Sequence, residues 1–165
     1  MDDKIKDAMH QAYAGESKAS LRLKVFAEKA DQEGYPQLAK LFRVISFSEE
    51  LHGKKALRLL REIKSTEENL AESFESETRV AGIAYDKFIK SAEEVGDHSA
   101  SIYFSQSRDV EEIHAKLYKE AMDHVLEERM TTYYVCDVCG YVSDGILPEE
   151  CPVCGAKQDR FIKFE

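Results

Sequence analysis

Two Glu-x-x-His pairs lie on apolar stripes of predicted helices, and they constrain the fold more than any other feature. Glu49 and His52 continue a stripe of apolar residues three and four positions apart, and Glu111 and His114 continue a second stripe. Side chains at these spacings share one face of a helix. Both pairs should therefore face the interior, where an unpaired carboxylate is strongly disfavoured unless a cation accompanies it.

The stripes predict four helices. The first should end near Gly34, where EGYP supplies a C-terminal glycine and then a proline that suits the start of the second helix, whose stripe extends to Ile63. The third should run from about residue 68, after the cap-like segment KSTEEN, to the VGD sequence at 95–97. The fourth carries its stripe to Val125. Four amphipathic helices of this length predict a mainly α chain built as a four-helix bundle.

The first and third helices each carry one further glutamate on their stripes, Glu16 and Glu77. Thirty-three positions separate Glu16 from Glu49, and thirty-four separate Glu77 from Glu111, so the second hairpin repeats the first. Four carboxylates balance two divalent ions, and carboxylate oxygen with some imidazole suits iron or manganese. One glutamate from each of two helices, with Glu-x-x-His from each of the others, resembles the ferritin-like di-iron bundles.

A single Glu-x-x-His pair on a helix is more often a solvated pair than a metal site. Two such pairs on apolar stripes, alternating with two lone glutamates, favour the dinuclear metal site. Glu50 and Glu112 lie off the stripes and are interpreted as surface charge.

All four cysteines lie in the tail, as two CxxCG sequences. Cys136 and Cys139 form the first pair, and Cys151 and Cys154 form the second. Two such turns direct four thiolates at one tetrahedral centre, and their spacing fits zinc and iron alike. So short a tail cannot bury an adequate core and needs the metal to fold. The sequence thus predicts two domains, a helical bundle at 1–130 and a small metal ribbon at 134–165.

The net charge and the hydropathy of the sequence limit the kinds of binding partner and the location that are expected for this chain. The formal net charge is −9, which argues against nucleic acid or anionic membrane as the main partner. The sequence opens with no signal peptide and has no apolar run of membrane-spanning length, so the expected location is the cytoplasm.

Taken together, these motifs resemble the rubrerythrin family over nearly the full length. The sequences that carry the resemblance are AGES at 14–17, EGYPQLAKLFR at 33–43, EELH, ENL through ESET, EEIHAKLY, YxCxxCGY and CPxCGA. The resemblance implies a ferritin-like di-iron bundle followed by a rubredoxin-like domain with one iron bound by four cysteines. Zinc could replace iron in either site of the isolated protein.

The resemblance also implies an activity. Such a protein is expected to be a non-haem peroxidase that reduces hydrogen peroxide to water and protects cells against oxidative stress. Electrons would come from a rubredoxin or an NAD(P)H-dependent reductase and pass through the rubredoxin-like centre. Members are usually homodimers, in which the rubredoxin-like centre of one subunit lies near the di-iron site of the other.

The resemblance assigns roles to the glutamates and histidines. Glu49 and Glu111 would bridge the irons, and Glu16 and Glu77 would be terminal ligands. His52 and His114 would each bind one iron. Tyr85, eight positions after Glu77, matches a tyrosine that the family places beside the ligands, although its position also fits a core aromatic residue.

Two positions depart from the family pattern. A further glutamate usually follows three positions after Glu77, where this chain has Val80, and a tyrosine often stands where it has Leu23. The missing glutamate is the ligand that exchanges with a histidine as one iron changes oxidation state.

Two rival functions remain open at this stage. The first is a ferroxidase or iron-handling protein, which would take electrons from incoming ferrous iron and need no rubredoxin-like tail. The second is a non-enzymatic metal-binding protein with a structural zinc ribbon, which would be colourless where ferric iron bound by four thiolates is red.

Overall fold

The computed structural model describes residues 1–124 and 130–165. The chain divides into two compact units, Met1–Lys64 and Ser65–Glu165. The division expected from the sequence, 1–130 and 134–165, is a different one and stays a prediction. Val125, expected on the stripe of the fourth helix, lies outside the described residues.

The first unit is a hairpin of two long helices, α1 (Asp3–Gln32) and α2 (Pro36–Leu60). Gly34 adopts φ 79° after α1, and proline is the first residue of α2, as predicted. The helix α2 ends earlier than expected because Arg61 adopts a left-handed conformation with φ 59°. Ile63 therefore lies beyond the helix, and its placement on the helical stripe was wrong.

Small residues line the contact between α1 and α2. On α2 they are spaced by seven, seven and three positions, which keeps them on one face of the helix, and the buried members of both helices are Ser20, Ala27, Ala30, Ala39, Ser46, Gly53 and Ala56. The Ser20 hydroxyl donates to the Ser46 carbonyl at 3.0 Å, and the Ser46 hydroxyl donates to the Ser20 carbonyl at 2.9 Å. Side chains this small let two helices approach closely, and the paired hydroxyls satisfy their own hydrogen-bonding needs.

Of the larger apolar residues on the predicted α2 stripe, Phe42 packs partly buried against Ala27, Ala30 and Ala39, but four others are exposed. Leu38, Leu41, Ile45 and Leu59 are exposed at 43%, 51%, 40% and 52%. The stripe interpretation chose the most hydrophobic line of the helix, whereas the two helices meet along a neighbouring line of small residues.

The second unit begins with the third predicted helix, which is continuous but not uniformly α. It consists of α3 (Thr66–Arg79), a π-helical segment (Val80–Tyr85) and α4 (Asp86–Glu94). Ser65 and Glu68 form a capping box at its start, which confirms the cap expected in KSTEEN. The following helix, α5 (His98–Asp123), is capped by Asp97, whose carboxylate accepts from the Ala100 N–H at 2.9 Å.

Three short strands complete the second unit. They are β1 (Tyr133–Cys136), β2 (Val142–Asp144) and β3 (Phe161–Phe164), in an antiparallel sheet of order β2-β1-β3. A 3-10 turn, Gln158–Arg160, leads into β3. Within the described residues, no helix is both long and apolar enough to span a membrane.

Candidate metal centres

The first hairpin brings three predicted ligands together, here called the first cluster: Glu16 on α1, with Glu49 and His52 on α2. Each offers a ligand atom within 4.8 Å of the others. His52 Nδ1 lies 3.7 Å from Glu16 Oε1 and 3.6 Å from Glu49 Oε2. Gly53, the residue after His52, is buried against α1, and a Cβ built on it would be in van der Waals contact with the Cβ of Glu16 at 3.8 Å. The hairpin therefore places donor atoms from both of its helices within reach of one ion.

Two carboxylates lie close together in the first cluster. A hydrogen bond with Glu49, followed by burial and repulsion from the Glu49 charge, raises the pKa of Glu16, and His52 opposes this shift. A cation bound between two such carboxylates would remove their mutual repulsion and favour the ionised form of both. The expected burial of the histidine was wrong within this chain, since the side chain of His52 is 58% exposed.

The second unit brings three more predicted ligands together, here called the second cluster: Glu77 on α3, with Glu111 and His114 on α5. Their donor atoms also lie within 4.8 Å of one another. His114 Nδ1 is 3.0 Å from Glu111 Oε2, and both side chains are largely covered, at 27% and 22% exposed. Burial raises the pKa of Glu77 to about 6, and a hydrogen bond with Glu111 and repulsion from its charge add to the shift.

The other ring nitrogen of His114 faces the ribbon. Its Nε2 lies 3.4 Å from the carbonyl oxygen of Gly140, the residue that follows Cys139. A Cβ built on Gly140 would stand 3.8 Å from Cγ1 of Val110, one helical turn before His114. Within the second unit, the first CxxCG turn thus contacts α5 beside the second cluster.

Tyr85 ends the π-helical segment that follows Glu77. Its ring packs against Phe88 and Phe104, with centroids 5.9 Å and 6.3 Å away. Burial raises the pKa of Tyr85, a hydrogen bond with Ser107 opposes the rise, and the charges of Glu111 and Glu77 add to it. The phenol is therefore both a packed aromatic residue and a neighbour of the second cluster, so the two interpretations of its position are compatible.

The four cysteines form the third candidate centre. All are free thiols, with sulfur ligand atoms within 4.8 Å of one another. The Sγ atoms of Cys136 and Cys154 lie 3.7 Å apart, and those of Cys139 and Cys151 lie 3.6 Å apart. These distances are far longer than a disulfide bond and suit four thiolates around one ion.

Two tight turns hold the thiols. Gly140 and Gly155 adopt φ 84° and 73°, and their N–H groups donate to the carbonyls of Cys136 and Cys151, both at 2.9 Å. Only glycine adopts these left-handed angles without steric cost. Burial raises the pKa of Cys139. At Cys136 burial also acts to raise the pKa, but backbone hydrogen bonds from Cys139 and Val138, together with hydrogen bonds from the thiols of Cys154 and Cys139, outweigh it and lower the pKa.

The donor atoms fit the metals expected from the sequence. Two carboxylates and one imidazole in each helical cluster match the preference of iron for mixed oxygen and nitrogen ligands. The pKa of Glu77 is raised chiefly by burial and further by the neighbouring Glu111, and a bound cation would oppose both effects by favouring the ionised carboxylates. Four converging thiols fit a single tetrahedral iron or zinc ion.

Comparison with known proteins places the chain in a family. The rubrerythrin family model matches residues 7–122, and the model for the rubredoxin-like domain of rubrerythrin matches residues 134–162. This chain belongs to the rubrerythrin family. Rubrerythrin-2 of Clostridium acetobutylicum is 30% identical over 175 residues, which cover 96% of this chain and 95% of that protein.

Nigerythrin is a further relative with solved structures. The protein of Nitratidesulfovibrio vulgaris is 28% identical to this chain, with 93% of this chain and 83% of nigerythrin covered. A structure of nigerythrin in a mixed-valence state matches with a TM-score of 0.60 at 27% identity, covering 96% of this chain and 86% of that chain.

Family membership confirms the fold class and the cofactors expected from the sequence. The fold is mainly α and ferritin-like, followed by a small rubredoxin-like ribbon, and the family has a di-iron site and a four-cysteine site. Rubrerythrins are oxidoreductases associated with oxidative stress. The assignment of each residue to a metal stays a prediction, although the structure groups all ten proposed ligands into the three clusters.

Sequence reasoning missed three features of these centres. The contacts of Ser107 with Tyr85 and of the Gly140 carbonyl with His114 could not be read from any motif, because each depends on a neighbour that only the folded chain supplies. The π-helical segment at Val80–Tyr85 was also not predicted, although π-helical turns often occur at functional sites. Gly82 lies within this segment and could have indicated an irregular turn, since glycine destabilises a regular α-helix.

Proposed function

We propose that this protein is a non-haem di-iron peroxidase that reduces hydrogen peroxide to water. The observation that carries the proposal is the presence, in one chain, of two clusters of two glutamates and a histidine and a third cluster of four cysteines. A ferroxidase needs only the helical clusters. The four-thiol centre gives the chain a one-electron site through which an external donor can supply reducing equivalents.

The six helical ligands would hold two iron ions, and iron bound there would supply the electrons needed to break the O–O bond of peroxide. Glu49 and Glu111 are proposed as bridging ligands, and Glu16 and Glu77 as terminal ligands. Each peroxide requires two electrons and two protons and yields two water molecules. The four-cysteine centre would therefore deliver an electron twice per turnover.

Protons must reach the peroxide oxygens as the bond breaks. Tyr85 provides a phenolic O–H beside the second cluster, with a pKa raised by burial and a hydrogen bond with Ser107 that opposes the rise. We assign Tyr85 a supporting role beside the second cluster.

The proposed electron donor is a rubredoxin-type protein, itself reduced by an NAD(P)H-dependent reductase. The proposed assembly is a homodimer in the cytoplasm. The donor proposal is supported by the rubredoxin-like domain, whose match spans residues 134–162.

The decisive experiment measures peroxide consumption by the iron-loaded protein with a reduced rubredoxin as donor. We expect NADH oxidation through a rubredoxin reductase that depends on both peroxide and this protein, with one NADH oxidised per peroxide. A protein that oxidises free ferrous iron faster than it consumes peroxide with this donor would instead be a ferroxidase. A colourless protein that retains only zinc in the four-cysteine site after expression with iron would support a structural ribbon.

A further inference from the structure

A group of aromatic side chains in the second unit connects the second cluster with the protein surface. Tyr85 lies beside the cluster, and Tyr103 is 62% exposed. We propose that Tyr85 and Tyr103 are a redox-active pair that supplies the missing electron when peroxide meets an iron site with only one ferrous ion. This inference rests on the proposed function, because it concerns an incomplete form of the same reaction.

The ring contacts form a continuous path from Tyr85 to Tyr103. The ring centroid of Phe104 lies 6.3 Å from that of Tyr85 and 5.4 Å from that of Tyr103. Phe88 completes the group, with its centroid 5.9 Å from Tyr85 and 5.4 Å from Phe104. One phenylalanine ring, Phe104, thus contacts both phenols, and an electron crosses a single ring to pass between them.

Two elements of the second unit bring these rings together. Tyr85 is the last residue of the π-helical segment, whereas Tyr103 and Phe104 are neighbours on α5. Consecutive residues of an α-helix lie about 100° apart around its axis. Phe104 therefore packs against Tyr85, while Tyr103 is turned from that contact and reaches solvent.

The electrostatics agree with this placement. Burial is the main cause of the raised pKa of Tyr85, and the charges of Glu111, Tyr103 and Glu77 add to the rise. The phenol is thus within electrostatic reach of the second cluster on one side and of Tyr103 on the other. The chain contains no tryptophan, so phenols are the aromatic side chains that can be oxidised most readily.

The way in which electrons arrive creates a need for such a pair. A four-cysteine iron centre carries one electron at a time, so the iron site would gain its two electrons in separate steps. Between those steps the site contains one ferrous and one ferric ion, whereas peroxide takes two electrons. Transfer of a single electron to peroxide would release a hydroxyl radical, which damages the protein around it.

Tyr85 supplies the second electron in this situation. One electron comes from bound ferrous iron, a second electron and the phenolic proton come from Tyr85, and solvent supplies one further proton. The O–O bond breaks, and the products are two water molecules, ferric iron and a phenoxyl radical at Tyr85.

Tyr103 then moves the radical to the surface. An electron passes from Tyr103 to Tyr85, which also takes up a proton, and Tyr103 releases its own proton to solvent. The exposed phenoxyl group of Tyr103 finally takes a hydrogen atom from a soluble thiol, which becomes a thiyl radical. Both tyrosines are thereby restored, and the oxidising equivalent leaves the protein.

The radical can be detected directly. Iron-loaded protein, reduced with one electron per pair of helical iron ions and free of thiols, would be mixed with peroxide and frozen rapidly. EPR spectra of protein with natural and with ring-deuterated tyrosine would identify a phenoxyl radical. We expect this radical in the wild type and its loss in Y85F. No phenoxyl radical in the wild type, or an undiminished radical in Y85F, would overturn the proposal.

The role of Tyr103 is tested with Y103F. The matched control is Y35F, because Tyr35 is also exposed, at 49%, and precedes α2 in the first unit. We expect Y103F to keep the radical at Tyr85, with a different hyperfine splitting and a longer lifetime, and Y35F to match the wild type. A spectrum and lifetime unchanged in Y103F would show that Tyr103 is not part of the path.

A second measurement serves if Y85F does not fold. Wild-type protein in the one-electron state would be cycled with peroxide in the presence of a spin trap, and the labelled peptides would be identified by mass spectrometry. We expect the label at Tyr103 and none at Tyr35. Label on other tyrosines with none at Tyr103 would overturn the proposal.

Fully reduced wild-type protein separates this inference from the proposed function. With two electrons in the iron site, it should consume peroxide without forming a phenoxyl radical. Peroxide left intact by the fully reduced protein would overturn the proposed function and this inference with it. Peroxide consumed by the fully reduced protein, with no phenoxyl radical from the one-electron state, would overturn the inference alone.

Discussion

The two helical clusters contain the same residue types in different surroundings. In the first cluster, His52 is 58% exposed and lies 3.6 Å from Glu49. In the second, His114 is 27% exposed, lies 3.0 Å from Glu111, and meets the Gly140 carbonyl through its other nitrogen. A repeated sequence motif has therefore produced one loosely held histidine and one that is held from both sides.

The difference shows that the identity of a ligand residue and the orientation of its side chain before metal binds are determined by separate features of the chain. The spacing of Glu-x-x-His determines that both side chains share a helix face. Covering groups from other elements determine how well each ring is oriented before metal binds. The second cluster should consequently be the more rigid of the two and the more sensitive to changes in its surroundings.

The largest expected effect concerns the source of electrons. C136S removes one thiolate of the only four-thiol centre within the described residues, so donor-dependent peroxide turnover should fall by more than about a hundredfold. Protein reduced chemically should still react once with peroxide, because both helical clusters are intact. Steady-state rates with a rubredoxin donor and a single-turnover reaction provide the two measurements. Full turnover in the variant would show that the ribbon has only a structural role.

Metal removal should have the next largest effect, a loss of stability. This loss should depend on pH more strongly through the second cluster than through the first. The pKa of Glu77 is raised from 4.5 to about 6 in the metal-free fold. Below pH 4.5 the carboxyl is protonated in the folded and unfolded states alike, whereas between these values the unfolded chain releases its proton more readily. The metal-free protein therefore loses stability as pH rises through 6, by about 1 kcal/mol once solvent screening is allowed for.

Thermal unfolding of chelated and loaded protein at pH 5 and pH 8 measures this effect. Chelated protein should melt well below the loaded form, by a larger margin at pH 8. E77Q should flatten the pH dependence of the metal-free form, and E16Q, in the more exposed cluster, should change it less. A melting temperature indifferent to metal would contradict the proposed ligands.

A smaller effect is expected at Val80, one helical turn after Glu77. V80E would add a carboxylate near the second cluster, and an added anion stabilises ferric more than ferrous iron. The reduction potential of the di-iron site should fall by on the order of 59 mV, equivalent to a tenfold change in a one-electron equilibrium. V80Q has the same size without the charge and should leave the potential near that of wild type. An equal shift in both variants would mean that packing, not charge, is responsible.

The smallest effect concerns the support of the first cluster. S46A removes the hydroxyl that donates to the Ser20 carbonyl in the buried contact of α1 and α2. The loss of one such bond should lower the free energy of unfolding by about 1 kcal/mol. The two hydroxyl oxygens also lie 3.2 Å apart, so each single variant removes this contact. The double variant S20A/S46A should therefore cost less than the sum of the single variants, because the contact can be lost only once. Urea denaturation of the metal-loaded variants tests this, and strictly additive losses would contradict the pairing.

The helices and their ends were largely predictable because local signals determine them. The glycine and proline at 34–36 separate α1 from α2, and the capping box at Ser65 starts α3. The burial of particular apolar residues was less predictable. Hydrophobicity selected Leu38 and Leu41, but the close contact between helices uses Ser46 and other small residues that hydrophobic patterns ignore.

The sequence by itself determined which atoms are available to bind metal. The positions of the glutamates, histidines and cysteines follow from helical periodicity and the CxxCG turn, both of which act over a few residues. Only the tertiary structure decided how those atoms are held. Glu77 acquires its raised pKa through burial and the neighbouring Glu111, and His114 acquires its acceptor from Gly140. Solvent exclusion and contacts between distant segments are properties of the folded chain, and no local motif encodes them.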